Sequence, residues 1–220
     1  MSRPDVTQLS AETIVDFLGD IFERRGAESY LGEDVTMSQH MLQGAQLAEQ
    51  AGAGDAIIAA ALLHDIGHYT NEFPDDALEN GIDNHHDEAG AAVLEPFFPT
   101  IVTDCVRHHV AAKRYLCSTD DEYFSKLSDA SVHTLNLQGG PMNASEVTEF
   151  AKNPNLNNIL RVRIWDDLGK DPTVATPDFW HYAPSCNGSW TPTSQHNNIY
   201  RPRGNWQSYH NTLRSLPCPS

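Results

Sequence analysis

Residues 56–68 read AIIAAALLHDIGH. The apolar run is too short to cross a membrane, which takes about 20 residues, and it offers no polar face to solvent. The run reads as a short apolar helix. This one runs straight into His64 and Asp65, meets Gly67, and is followed by His68. Neighbours on a helix point about 100° apart. An imidazole and a carboxylate side by side therefore serve one centre only where the helix ends and the backbone adjusts. Two readings compete: an ordinary polar helix end, or a metal site.

Working outward, helical period dominates residues 10–170. SAETIVDFLGDIFERRG (10–26) puts Ile14, Phe17, Leu18, Ile21 and Phe22 on one stripe and stops at Gly26. Thr36 with Gln39 predicts a capping box for a helix through about Gln50. Asp55 is expected to cap the apolar helix, and Pro99 to be the first residue of the helix PTIVTDCVRHHVAAKRYL (99–116). Ser128 predicts the start of a helix ended by Gly139 and Gly140, Asn143 the start of the next, and Gly169 the end of the last. No segment alternates convincingly as a strand. The expected fold is all-α, a helical bundle over residues 1–172. Residues 173–220, rich in Pro, Asn, Ser, Trp and Tyr, are expected to form an irregular C-terminal tail packing on that domain.

The chain has 220 residues and a formal charge of −16. That balance disfavours nucleic acid, which needs a basic surface. It leaves room for a small anion beside a few local cations. The start shows no basic segment followed by an apolar one, and the four cysteines form no CxxC. Reduced thiols, a cytoplasmic location and no membrane attachment are the expectations. Nothing in the sequence indicates an oligomeric state.

Six residues sit at helix ends or on apolar helix faces: His40, His64, Asp65, His86, His109 and Asp166. A single such His is usually a hydrogen-bonded core residue. Four, with two carboxylates, spread over five helices of one small domain, are harder to explain one by one. Imidazole with carboxylate suits Fe, Mn, Zn or Co. His85 and His108 are adjacent competitors. His86 is favoured because HDEAG follows from it, and His109 because it shares a face with Lys113. Lys113 follows His109 by four and Arg163 precedes Asp166 by three, so two cations share faces with two ligands. Ser131, Thr134 and Gln138 make a neutral polar stripe on a helix otherwise apolar. Such cations and donors suit a small dianion.

The order H…HD…H…H…D resembles the HD-domain superfamily in its two-metal form. The phosphodiesterase branch often carries Lys where this chain has His68, and its Gly-Tyr-Pro signature is absent here. The stretches YLGEDVTMSQHMLQGAQLAEQAGAGD (30–55), ALLHDIGHYTNEF (61–73), SVHTLNLQGGPM (131–142) and RVRIWDDLGKDP (161–172) are similar instead to the mixed-valent diiron oxygenases that cleave the C–P bond of hydroxyphosphonates. Myo-inositol oxygenase is a more distant relative. The resemblance covers roughly residues 14–172.

It implies two iron ions, Fe(II)/Fe(III), one held by His40, His64, Asp65 and Asp166 and the other by Asp65, His86 and His109. It also implies phosphonate binding by His68, Lys113, Ser131, Thr134, Gln138 and Arg163. Tyr30 would occupy an iron position until substrate displaces it, with Glu33 hydrogen-bonded to it. The implied reaction uses O2 to cleave a 1-hydroxy-2-aminoethylphosphonate, or its N-trimethyl analogue, to phosphate and glycine or glycine betaine. The primary amine is the favoured expectation. The alternatives are a two-metal phosphohydrolase acting on a nucleotide or phosphate ester, and a non-catalytic HD regulatory bundle.

Overall fold

The structure, a computed structural model, describes residues 9–30, 32–72 and 85–187. These residues are helical apart from turns and one isolated antiparallel bridge, Ser29 to Thr36. The helices are α1 Ile14–Arg25, α2 Met37–Gln50, α3 Asp55–Leu63, α4 His86–Leu94, α5 Thr100–Thr119, α6 Asp129–Leu137, α7 Ala144–Phe150, α8 Leu156–Leu168 and α9 Phe179–Cys186. None is long and apolar enough to cross a membrane.

The apolar run behaves as its composition demands. In α3 every residue from Ile57 to Leu63 is buried, and the helix packs on α2, α5, α8 and α9. A central helix of this kind delivers whatever follows it into the interior. The chain then breaks at His64 and Asp65 into a 3-10 segment, Ile66–Glu72.

The capping signals work as their chemistry requires at Thr36, Ser128 and Asn143. Gly139 and Gly140 end α6 with φ of 93° and 71°, a backbone that side chains disfavour. Two expectations shift. Gly54, not Asp55, is the N-cap of α3. The Asp55 carboxylate instead accepts a hydrogen bond from Ser185 Oγ (3.3 Å). Pro99 sits one position outside α5, extended at ψ 153°, with its carbonyl accepting from Val102 and Thr103.

The boundary at residue 172 also needs revision. Residues 179–186 are a helix rather than irregular chain, and α9 packs on α1 and α3. Its N-cap Asp178 accepts from the His181 backbone. Trp180 Nε1 donates to Glu23 on α1 (2.8 Å), and its ring lies over Gly19, where a Cβ would come within 2.7 Å. The remainder of the expected tail, residues 188–220, lies outside the described residues.

Candidate metal centre

The HD pair occupies the junction where α3 stops. His64 Nδ1 faces the Ala61 carbonyl oxygen at 2.8 Å, one turn back. His109, on α5, does the same with Val106 at 2.7 Å. His40, on α2, points Nδ1 at the carbonyl of Gly169 (2.9 Å), just after α8. A carbonyl only accepts, so each Nδ1 carries the proton and each Nε2 presents a lone pair.

The Nε2 atoms face one another in two pairs. His40 Nε2 and His64 Nε2 are 3.0 Å apart, and so are His86 Nε2 and His109 Nε2. Between His40 and His64, both protonated at Nδ1, two lone pairs meet, an approach that a cation between them stabilises. Asp65 stands between the two pairs. Its Oδ2 lies 3.4 Å from His40 and 3.5 Å from His64, and its Oδ1 3.4 Å from His86 and 3.3 Å from His109. Asp166 Oδ1 is 3.5 Å from His40. Asp65 Oδ2 and Asp166 Oδ1 are buried without a hydrogen-bond donor. Buried carboxylate oxygens without donors are costly, and transition-metal cations resolve that cost along with the opposed nitrogens. The donor set therefore fits two metals sharing one carboxylate, without any thiolate.

All six residues named from the sequence meet here, and their competitors do not. His85 is exposed at the start of α4, and His108 turns edge-on to Phe150. His68 stacks on His86 at 4.2 Å, with Nε2 buried, lacking a hydrogen bond and 4.0 Å from Asp65 Oδ1. That puts it among the donors of the second group, as well as on the wall of the adjoining cavity.

Electrostatics follow from the packing. Burial opposes ionisation of Asp65, but the neighbouring imidazoles, His64 foremost, hold its carboxyl well below the usual range. Asp166 is lowered too, by Arg163 against the same burial. Burial pushes His64 and His68 down to about 4, so both are neutral near pH 7.

Next to this centre lies a cavity of about 50 Å³. Its walls include Tyr30, Glu33, Lys113, Ser131, Thr134, Gln138 and Arg163, each of the non-ligand residues anticipated from the sequence. Lys113 and Arg163 are buried, at 3% and 4% exposure, rather than surface charges. Lys113 Nζ donates to Thr134 Oγ1 (2.8 Å). Gln138 Oε1 is buried without a partner.

Two details differ from expectation. Arg163 is engaged by carboxylates: Nη1 binds Asp166 Oδ2 (2.6 Å), and Nη2 and Nε bind Asp167. Glu33 contacts Tyr30 through the backbone, its N–H donating to the Tyr30 carbonyl (2.7 Å). Its side-chain Oε1 instead accepts from Ser128 Oγ (2.6 Å) and lies 3.4 Å from Lys170 Nζ. Tyr30 stacks flat on His40, 3.9 Å between centroids, with burial and then Asp65 and Asp166 raising its pKa well above the ordinary value.

Residues 37–148 match the HD domain family. Over 184 residues the chain is 60% identical to the 1-hydroxy-2-(trimethylamino)ethylphosphonate dioxygenase (glycine-betaine-forming) of Leisingera caerulea, covering 84% of this chain and 94% of that one. The chain belongs to the HD-domain phosphonate dioxygenases. It is also 40% identical to the hydroxymethylphosphonate dioxygenase of Gimesia maris, over 83% of this chain and 92% of that one. This membership sets aside the phosphohydrolase and the non-catalytic bundle.

Sequence reading of this dioxygenase missed Lys170, Tyr123 and Asp167, which contact the anticipated residues. Lys170 donates to Ser131 Oγ (2.9 Å). The Tyr123 hydroxyl donates to Asp167 and accepts from Arg163 Nε (3.1 Å). Lys170 lies beyond the end of α8, where helical spacing gives no signal, whereas Asp167 follows Arg163 by four on that helix. Tyr123 lies in a turn between α5 and α6 and had no signal.

Gly67 has a function that its position explains. A Cβ there would fall 1.8 Å from the His86 carbonyl oxygen and 2.8 Å from Gly90 N. The residue is glycine so that the start of α4 can close on the HD turn and bring His86 to Asp65. Gly67→Ala should force α4 outward. With a displacement near 1 Å costing on the order of 100-fold, turnover should drop by about that factor. Metal analysis should show depletion of the ion that His86 and His109 would hold. Full activity in the variant would mean that α4 placement is not critical.

Proposed function

We propose that the protein uses two iron ions and O2 to cleave the C–P bond of 1-hydroxy-2-(trimethylammonio)ethylphosphonate, releasing phosphate and glycine betaine. The observation that carries this is the bridged donor cluster beside a cation-lined cavity, in a chain 60% identical to a dioxygenase of that name. The reaction balances without a reductant. Substrate carbon C1 loses its hydrogen and its phosphorus and becomes a carboxylate, while both atoms of O2 end in the products. Iron, when bound, supplies the O2 chemistry; the thiol-free His and Asp set suits a metal that changes valence.

The chain's own residues bind, orient and balance charge. His40, His64, Asp65 and Asp166 would hold one ion, and Asp65, His86 and His109 the other. Lys113, Ser131, Thr134 and Gln138 would hold the phosphonate oxygens, with His68 beside the second ion. Arg163 neutralises Asp166 and Asp167 and acts at the edge of that subsite. Tyr30 covers His40 and leaves when substrate enters. The primary-amine expectation gives way to the trimethylated substrate. The chain is 60% identical to a dioxygenase named for the trimethylated substrate. A cytoplasmic location is supported by Cys105, Cys117 and Cys186 being free thiols.

The test is oxygen uptake by iron-loaded protein with the trimethylated, primary-amine and hydroxymethyl substrates in parallel. The highest kcat/KM is expected for the trimethylated compound. Preference for the primary amine would overturn the substrate assignment. Hydrolysis of a phosphate ester without O2 uptake would overturn the oxygenase reading.

Lys113 also sets a pH limit. Burial, helped by the nearby Arg163 charge, lowers it to about 8. The free enzyme loses this cation as pH rises through 8, so kcat/KM should fall on that side. Lys113→Arg keeps the charge at all these pH values and should shift the decline upward. An unchanged profile in Lys113→Arg would exclude Lys113 as its source.

A further inference from the structure

We infer that Gln43 is a positioning residue of the metal centre: it fixes the segment of chain whose carbonyl orients the His40 ring. The inference rests on the two-metal reading above and deepens it. Three of the ligand imidazoles point Nδ1 at a carbonyl, and they do so in two different ways. His64 and His109 each use a carbonyl three residues back, those of Ala61 (2.8 Å) and Val106 (2.7 Å). Those two rings are oriented by their own stretches of chain. His40 uses the carbonyl of Gly169 (2.9 Å), 129 residues away and just past the end of α8. Its orientation is only as firm as the placing of that segment against α2.

Gln43 supplies that placing. It stands three residues after His40 on α2 and is 2% exposed. Its Nε2 donates to the Asp171 carbonyl (2.8 Å), and its Oε1 accepts from the Asp171 N–H (3.1 Å). A side-chain amide carries both a donor and an acceptor. Paired with both backbone groups of one residue, it fixes that residue in position and in rotation. The Asp171 carboxylate is turned elsewhere and accepts from Thr173 N–H (2.8 Å) and Thr173 Oγ1 (2.6 Å). Gln46, three residues further along α2, donates to the Ala175 carbonyl (3.3 Å), a longer bond at an exposed position. His40, Gln43 and Gln46 are thus three rungs that fasten residues 169–175 to α2. Gly169 lets them close: a Cβ there would lie 3.0 Å from the His40 carbonyl oxygen and 3.4 Å from Gly44 N. Only Lys170 stands between the Gly169 carbonyl and the Asp171 N–H. A shift of Asp171 therefore passes to that carbonyl, and through it to the His40 ring. The outer rung, Gln46, is four residues further from Gly169 and has no such lever. Gln43 does not line the cavity; it acts through His40.

Titration of the metal-free protein with cobalt(II), followed by visible absorption, tests this. Cobalt suits the same His and Asp donors, and its binding is read without turnover. Wild type should take up two ions. Gln43→Met keeps the length of the side chain and removes both hydrogen bonds. It should weaken one ion by about tenfold, the lower end of the cost of removing a hydrogen bond behind a ligand, and leave the other unchanged. Gln46→Met, which removes the outer rung, should bind both ions as wild type does. Two backgrounds assign the affected ion. In His86→Ala, which keeps the group of His40, Gln43→Met should still weaken binding by about tenfold. In His40→Ala, which keeps the group of His86 and His109, Gln43→Met should change nothing, because the ring it orients is gone. Gln43→Asn, with the amide on a shorter stem, should fall between wild type and Gln43→Met, and carries the same comparison if Gln43→Met does not fold. Equal weakening of both ions, a loss that persists in His40→Ala, or unchanged binding in both Gln43 variants overturns the inference and leaves the centre standing. Fewer than two ions in wild type overturns the two-metal reading and the inference with it.

Discussion

Asp65→Asn should reduce turnover by more than about a thousandfold and deplete both metals, a larger loss than any other single substitution at the centre. Removing a hydrogen bond behind a ligand costs about 10- to 100-fold. Asp65 stands in front of both ligand groups, one oxygen toward each. Asparagine keeps the size, removes the charge and replaces one oxygen by an N–H donor that points at a lone pair. One group is then left with two imidazoles, and the other with two imidazoles and Asp166. The readout is metal content together with turnover. Retention of both ions would show that Asp65 does not bridge. His86→Ala should lose one ion and spare the other, which separates a bridging role from general collapse.

Arg163→Met should destabilise the metal-free protein by about 3–5 kcal/mol, the cost of leaving buried charges without their partner. Arg163 is 4% exposed and lies against two carboxylates and the Tyr123 hydroxyl. Its charge is what lowers Asp166 despite burial, and Asp166 and Asp167 in turn hold Arg163 well above its ordinary value. A carboxyl lowered in the fold contributes stability that is complete above its unfolded pKa, near 4, and is lost as pH falls below that. Wild type should therefore weaken on acidification below pH ~4 more steeply than the variant. Urea denaturation across pH 3–7 measures both effects. Adding Asp167→Leu should recover part of the loss in Arg163→Met. A variant as stable as wild type would mean that Asp166 is neutralised by another group.

The candidate ligands were readable because a metal centre needs particular side chains at particular helix positions. His64–Asp65 at the end of an all-apolar helix, and His109 four residues before Lys113, are local patterns with a chemical meaning. Ser131 and Thr134 were readable for the same reason, as polar residues where an apolar face was due. What escaped was set by contacts distant in sequence. Gly67 looked like a turn residue, yet its lack of a side chain serves the approach of His86. Arg163 looked free for substrate although Asp167 follows it by four on the same helix face; only the Tyr123 hydroxyl reaches it from a distant part of the chain. Lys170 follows the glycine that ends α8, where helical periodicity no longer says which way a side chain points. Helix α9 was hidden by its length and by Pro184 inside it, although Asp178 before an aromatic run is an N-cap signal. Asp55 lost its expected capping role because Ser185 on that same helix reaches its carboxylate.

The central claim is that the bridged His and Asp centre performs oxidative, not hydrolytic, release of phosphate. The most direct test is turnover of 1-hydroxy-2-(trimethylammonio)ethylphosphonate by the iron-loaded protein in a sealed cell, with O2, phosphate and glycine betaine measured together. The account predicts equal molar amounts of O2 consumed, phosphate released and glycine betaine formed, and no phosphate under nitrogen. Phosphate release that continues without O2 would contradict it.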